Sequence, residues 1–149
     1  TGHAISRLQG ASYPAQERAQ TAQEGIWWPM ANSFEEKRWT SADGLQLYYR
    51  DYPGVEGPEG RTPIVCLHGL TRNSRDFADL AEHLAAQGRR VIVPEMRGRG
   101  FSDYAPDSST YHGEQYAADL EILLDELGFA RFISVGTSMG GLITMIFAA

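Results

Sequence analysis

The chain has 149 residues, which is enough for one domain with a hydrophobic core. Its apolar content of 42% and charged content of 21% are typical of a globular protein and exclude a disordered one. The net charge of -6 argues against a nucleic acid or an anionic membrane as partner, and no apolar run approaches the ~20 residues of a membrane span.

The first predicted segment is a flexible N-terminal extension over residues 1–33. It is rich in Ala, Gln, Ser and Gly and has one apolar cluster, around Trp27 and Trp28. It lacks the apolar segment of a secretory signal. Two interpretations remain open. Either the extension docks its two tryptophan rings on the domain, or Met30 is the natural start and residues 1–29 are upstream sequence.

The next segments have the pattern of strands. Segments 38–40 and 45–49 are joined through Asp43-Gly44, a dipeptide typical of a hairpin turn. Further along the chain, continuous apolar runs are typical of strands covered on both faces. Two such runs predict buried strands over 64–67 and 91–93, and the segment 132–135 predicts a further strand.

Helical periodicity alternates with these strands. It predicts helices over about 73–87 and 114–127, and a third helix that starts near Met139. Asn73 or Ser74 can cap the first helix. The alternation of strand and helix predicts an α/β fold: a mainly parallel twisted sheet with flanking helices and right-handed crossovers.

Cys66 is the one cysteine of the sequence, and it lies in the apolar run 64–67. A single cysteine excludes an intrachain disulfide and slightly favours a reducing, cytoplasmic location. We expect a buried strand residue here and not a catalytic thiol. The four histidines have no metal-ligand spacing, so we predict no metal and no cofactor.

The main functional signal is Gly136-Thr137-Ser138-Met139-Gly140, a G-x-S-x-G sequence. It follows a predicted strand and opens an apolar helix, which is the context of a nucleophile elbow. Small residues two before and two after the serine let strand and helix pass each other without a clash. We therefore predict a positive φ for Ser138, a strained conformation for a residue other than glycine.

Three motifs follow three successive predicted strands. They are His68-Gly69-Leu70, Arg97-Gly98-Arg99-Gly100-Phe101-Ser102 and Gly136-Thr137-Ser138-Met139-Gly140-Gly141. In this order and spacing they resemble the N-terminal half of the α/β-hydrolase fold superfamily, in its serine-nucleophile branch. The resemblance runs from about residue 35 to 149, and it implies a partial α/β-hydrolase domain over 34–149 with a five-stranded sheet in the order 1-2-4-3-5.

The resemblance also implies roles for individual residues. Ser138 matches the nucleophile, and the backbone N–H groups of Leu70 and Met139 match the two donors of the oxyanion hole. His68 supports the oxyanion loop and is not expected to be the catalytic base. Supporting roles are implied for four residues: His68, Gly69, Gly136 and Gly140.

The loop after the strand at 91–93 contains several polar residues. Arg97 and Ser102 resemble residues that brace this loop, and Glu95 stands where relatives often carry Asp. Acidic residues nearby are predicted to lie on the surface or at helix caps. They are Asp103, Asp107 and Asp119.

The superfamily places the acid and the histidine of its triad after later strands, which would lie beyond Ala149. We therefore expect a fragment, truncated after the nucleophile elbow and inactive alone. In such a fragment the strand 132–135 becomes an exposed apolar edge. The helix after it would expose Leu142, Ile143 and Ile146.

The expected reaction is acyl transfer through a nucleophilic serine, with a small-molecule carboxylic ester or lactone as substrate. Serine at position 138 argues against the epoxide hydrolase and haloalkane dehalogenase branches, which carry Asp at the elbow. Two alternatives remain. One is a related hydrolase of C–C bonds or N-terminal prolyl amides, and the other is a non-enzymatic α/β-hydrolase-like binding protein. An intact acid and histidine downstream would favour the enzyme.

Overall fold

The computed structural model describes residues 33–54 and 61–149. Within it, Phe34–Ala149 forms one compact unit. The predicted N-terminal extension, residues 1–33, lies outside the described residues except for its last residue.

Five strands form one mixed sheet in the described part of the chain. They are β1 (Glu35–Thr40), β2 (Gln46–Tyr52), β3 (Ile64–Leu67), β4 (Val91–Pro94) and β5 (Ile133–Gly136). The spatial order is β1-β2-β4-β3-β5, which confirms the order that the resemblance implied. β1 and β2 form an antiparallel hairpin at one side, β2 is antiparallel to β4, and β3 is parallel to both β4 and β5.

The hairpin strands are longer than predicted. Pairing continues from Thr40 opposite Gln46 to Glu35 opposite Asp51. The charged residues at the start of β1 conceal its strand character, because they break the apolar alternation on which the prediction depended. Gly44 has φ +87°, as a turn residue can, and its N–H donates to the Ser41 carbonyl at 3.0 Å.

In residues 33–54 and 61–149, three α-helices flank the sheet. They are α1 (Ala78–Ala86), α2 (Gly113–Glu126) and α3 (Met139–Ala148). A short 3₁₀ turn, Ser74–Phe77, leads into α1, and the Asn73 side chain accepts a hydrogen bond from the Arg75 N–H at its start. The predicted helices are therefore confirmed, although the first begins as a 3₁₀ turn, and of the two predicted caps Asn73 caps that turn.

The core has two parts, one on each face of the sheet. On one face α2 and α3 pack over the sheet through Leu120, Leu123 and Ile143. On the other face α1 and the turn before it contribute Ala81 and Phe77. Burial of such side chains supplies about 1.5–3 kcal/mol each. The helices thereby keep both faces of β3 and β4 away from water.

An apolar surface remains beside β5, the last strand of the sheet. Ile133 is 42% exposed, and on α3 Leu142 is 58% and Ile146 is 38% exposed, as expected. The expectation for Ile143 was wrong: this side chain is completely buried. It belongs to the core cluster on the face of the sheet that α2 and α3 cover, whereas Leu142 and Ile146 remain exposed.

Candidate active site

Ser138 occupies the tight turn between β5 and α3. Its φ is +53° and its ψ is -113°, and it is the one residue other than glycine with a positive φ in the described part of the chain. The predicted positive φ is confirmed. A backbone conformation of this kind costs about 1–3 kcal/mol and persists only where the surroundings hold it. The Ser138 side chain is exposed, so its hydroxyl is open to solvent.

Two glycines make this turn possible. A methyl group on Gly140 would overlap the carbonyl oxygen of Leu67 in β3. A methyl group on Gly136 would lie 2.5 Å from the Gly140 carbonyl oxygen. The first turn of α3 therefore passes directly against β3 and β5, and only glycine fits at either position.

The loop after β3 lies beside the serine. A methyl group on Gly69 would lie 3.8 Å from Ser138 Cβ and 3.7 Å from the Thr137 carbonyl oxygen. The Thr137 N–H also donates to the Leu67 carbonyl at 3.0 Å, which joins the end of β5 to β3. The structure thus brings together the two sequence motifs that were predicted to form one site.

Two backbone N–H groups near Ser138 are candidate donors to a bound anion. Met139 is the first residue of α3, so its N–H has no partner within the helix. Among the residues that the structure describes, no group accepts a hydrogen bond from the N–H of Met139 or of Leu70. The N-terminus of a helix also favours negative charge, which suits this position to an oxyanion.

His68 holds the loop through both nitrogens of its ring. Its Nδ1 lies 2.8 Å from the Gly69 carbonyl oxygen, and its Nε2 accepts a hydrogen bond from the Met96 N–H at 3.0 Å. This pattern requires the neutral ring with its proton on Nδ1. Burial also lowers the pKa of His68 below its ordinary value of 6.5. Neither nitrogen is therefore available to take a proton from Ser138.

These contacts also orient the Leu70 N–H. The Gly69 carbonyl accepts from His68 Nδ1 and from the Arg72 N–H, at 2.8 and 3.1 Å. In a trans peptide the carbonyl and the following N–H point in opposite directions. With the Gly69 carbonyl held on one side, the Leu70 N–H is directed to the other.

Glu95 connects the segment after β3 to the loop after β4 through its buried carboxylate. Its carboxylate accepts hydrogen bonds from the Ser74 N–H and hydroxyl, at 3.1 and 2.7 Å, and from the Phe101 N–H at 2.6 Å. Ser102 adds a second brace, because its hydroxyl donates to the Glu95 carbonyl at 2.6 Å and accepts from the Tyr48 N–H at 2.8 Å. Both side chains are buried, so these contacts fix the loop that follows β4.

Arg97 is buried between two carboxylates. It donates to both carboxylate oxygens of Asp119, at 2.8 Å each, and to both of Asp43, at 2.9 and 3.0 Å. Although burial by itself would lower the pKa of Arg97, these two carboxylates raise it. The expectation that Asp119 lies on the surface or at a cap was wrong, since its side chain is 1% exposed. Its position three residues after the buried Tyr116 placed it on the inward stripe of α2, a signal that sequence reasoning missed.

In residues 33–54 and 61–149, no group of three or more His, Cys, Asp or Glu is placed to hold a metal ion. Cys66 is buried in β3, and burial raises the pKa of its thiol to about 12, so the reactive thiolate is not formed. The same part of the chain contains no helix with the length and apolar character that crossing a bilayer requires.

Comparison with known proteins identifies relatives of this chain. The family described as the alpha/beta hydrolase fold matches residues 62–149. A 3-hydroxybutyrate-oligomer hydrolase from Cupriavidus necator is 41% identical over 88 residues, which are 59% of this chain and 30% of that protein. An sn-1-specific diacylglycerol lipase from Mus musculus is 37% identical over 98 residues, which are 65% of this chain and 31% of that protein. The chain spans about a third of the length of the relatives it matches.

Solved structures show the same fold. The crystal structure of an alpha/beta hydrolase from Novosphingobium aromaticivorans has a TM-score of 0.74 and 53% sequence identity, and the match covers 80% of this chain and 40% of that one. An epoxide hydrolase from Vigna radiata has a TM-score of 0.69 over 80% of this chain and 35% of its own. Its identity is 19%, so this second likeness concerns the fold alone.

Proposed function

Because this chain belongs to the α/β-hydrolase fold family, we propose that Ser138 is the nucleophile of a serine hydrolase that cleaves carboxylic esters or lactones. The observation that supports this most is the strained turn at Ser138, with the free N–H groups of Leu70 and Met139 on the two segments beside it. A serine nucleophile needs an exposed hydroxyl and nearby donors for the oxyanion. The exposed side chain of Ser138 and the N–H groups of Leu70 and Met139, which have no acceptor among the described residues, support this proposal.

The proposed reaction proceeds by acyl transfer. Ser138 Oγ attacks the carbonyl carbon and its proton passes to a base, while the electron pair of the C=O bond moves to oxygen. The N–H groups of Leu70 and Met139 hold that oxyanion. Collapse of the intermediate expels the alcohol, which takes the proton from the base, and water then releases the acid from the acyl-serine.

The base is not His68, because both of its ring nitrogens are already hydrogen-bonded. We propose that the histidine and acid of the triad follow residue 149, in the length of the relatives that this chain does not span. We accordingly propose that residues 1–149 alone are inactive. Removal of triad members typically reduces the rate by about 10⁴-fold or more.

The proposed substrate is a small molecule with an ester bond. Two relatives are named for a hydroxybutyrate oligomer and for diacylglycerol, and both compounds contain ester bonds. The exposed side chain of Leu70 and the buried side chain of Met139 would provide an apolar wall for an acyl group. The cytoplasmic location stays a prediction.

The test uses the complete protein with a fluorophosphonate probe and p-nitrophenyl acetate. We expect covalent labelling at Ser138 and ester hydrolysis, and loss of both in Ser138→Ala. Absence of labelling in a folded protein with normal thermal stability would favour the non-enzymatic binding protein. Labelling at Ser138 without ester turnover would instead favour the hydrolase of C–C bonds or N-terminal prolyl amides.

A further inference from the structure

Arg99 contacts both residues that provide the free N–H groups at the site. Its Nε donates to the Leu70 carbonyl oxygen at 3.0 Å. Its Nη2 approaches Met139 Sδ at 4.0 Å. One planar guanidinium therefore lies between the loop after β3 and the first residue of α3, which belong to separate parts of the sequence.

The guanidinium is itself held from the other side. Nη1 donates to the Arg97 carbonyl and to the Tyr116 hydroxyl, at 2.9 Å each. The Arg99 guanidinium carbon also lies 5.1 Å from the centre of the Tyr116 ring and 5.7 Å from that of Tyr111. Since Tyr116 is buried in α2, these contacts connect Arg99 to the core of the domain.

We infer that Arg99 is a positioning residue that sets the distance between the two donors of the oxyanion hole. This inference rests on the proposed function of Ser138. The Leu70 N–H lies between two carbonyl groups that are both fixed, because Gly69 is held by His68 and Leu70 is held by Arg99. Without Arg99, the Leu70 peptide would keep only the contacts on its Gly69 side.

This role requires the geometry of arginine as well as its charge. The fork of N–H groups lets one rigid plane reach Leu70, Arg97 and Tyr116 together. Lysine keeps the charge but is a point donor on a flexible stem, so it cannot make these contacts at once. Misplacement of an oxyanion donor affects the transition state more than the bound substrate, because charge on the carbonyl oxygen develops only in the transition state.

The test compares Arg99→Lys with Arg89→Lys in the complete protein. Arg89 is a matched control, because it also donates to a backbone carbonyl, that of Thr62 at 3.0 Å, but before β3 at the opposite end of the sheet. For Arg99→Lys we expect kcat for p-nitrophenyl acetate to fall about 10- to 100-fold while KM changes by less than about two-fold. Arg89→Lys should leave both constants near those of the wild type.

A second readout separates positioning from general loosening of the fold. A trifluoromethyl ketone forms an adduct with serine that carries the oxyanion, whereas the corresponding alcohol binds without forming one. Arg99→Lys should weaken binding of the ketone by the same factor by which kcat falls, and it should leave binding of the alcohol unchanged. The inference would be overturned if the ketone and the alcohol both bound more weakly by the same factor. A rise in KM that accounts for the loss of kcat/KM would also overturn it.

Two further outcomes keep this test apart from that of the proposed function. If the wild type is labelled at Ser138 by the fluorophosphonate and Arg99→Lys has an unchanged kcat, the positioning role is refuted and the nucleophile stands. If the wild type is not labelled, both proposals are refuted together. Should Arg99→Lys fail to fold, Tyr116→Phe is the variant that tests the positioning role of Arg99. It removes one acceptor of Arg99 and keeps the ring, and we expect a few-fold loss in kcat with KM unchanged, whereas an unchanged kcat would refute the role.

Discussion

Arg97 and Asp119 form an ion pair inside the domain, with 2.8 Å between Nη2 and Oδ1 and both side chains essentially excluded from solvent. Arg97 also pairs with Asp43, whose side chain is 44% exposed. One guanidinium thus connects the loop after β4 to α2 in the interior and to the hairpin turn at the surface. The two carboxylates differ in burial, and their contributions to stability should differ accordingly.

The first prediction concerns these two carboxylates. Asp119→Ala should lower the free energy of unfolding by about 3–5 kcal/mol, because it leaves a buried guanidinium without its main partner. Asp43→Ala should cost about 1 kcal/mol or less, since an exposed ion pair is screened by water. Urea unfolding of the two variants measures the difference. Equal losses of unfolding free energy would show that the buried pair contributes no more to stability than the exposed one.

The second prediction concerns two adjacent glycines at the start of α3. Gly140→Ala should lower the free energy of unfolding by about 1–3 kcal/mol and displace Ser138, because the new methyl group would overlap the Leu67 carbonyl. Gly141→Ala is the matched control. A methyl group there lies 3.8 Å from the Gly136 carbonyl oxygen, an ordinary contact, and alanine favours the helix.

Urea unfolding and labelling of Ser138 by a fluorophosphonate test both glycine variants. Gly141→Ala should keep wild-type labelling and be as stable as the wild type or slightly more so. Gly140→Ala should be less stable and label slowly. A stable, normally labelled Gly140→Ala would show that α3 can move away from β3 without affecting the turn.

The sequence predicts much of this arrangement because its motifs are local. The turn at Ser138 needs small residues at fixed positions around it, and the apolar runs identify buried strands without knowledge of their partners. The burial of Asp119 depends instead on Arg97, 22 residues away, and on the inward direction of a helical stripe. The bridge from Arg99 to Leu70 and Met139 joins two loops and the first residue of α3, and no local pattern signals it.

The third prediction concerns stability against pH. Burial lowers the pKa of His68 in the folded protein below its ordinary value of 6.5. The unfolded chain therefore binds the proton more readily. The stability that the neutral ring provides is fully present above pH 6.5 and is lost progressively as the pH falls from there through the folded pKa. Urea unfolding between pH 7.5 and pH 5 should show this decline.

His68→Asn is the comparison for this pH series. It can keep a donor and an acceptor in the loop but does not titrate. The variant should be less stable at pH 7.5, and its decline toward pH 5 should be shallower than that of the wild type. Parallel pH curves for the two proteins would show that His68 is not the titrating group.

The last prediction uses the strain at Ser138. The positive φ of this residue suits glycine, so Ser138→Gly should relieve about 1–3 kcal/mol of backbone strain. Part of this gain is offset by about 0.4–1 kcal/mol, because glycine gives the unfolded chain more freedom. Ser138→Ala loses the same hydroxyl but keeps the Cβ and the strain. We therefore expect Ser138→Gly to be more stable than Ser138→Ala by about 1 kcal/mol in urea unfolding, while neither variant is labelled by a fluorophosphonate. If Ser138→Ala is the more stable of the two, the turn holds little strain. The positive φ of Ser138 would then not indicate that function maintains this conformation.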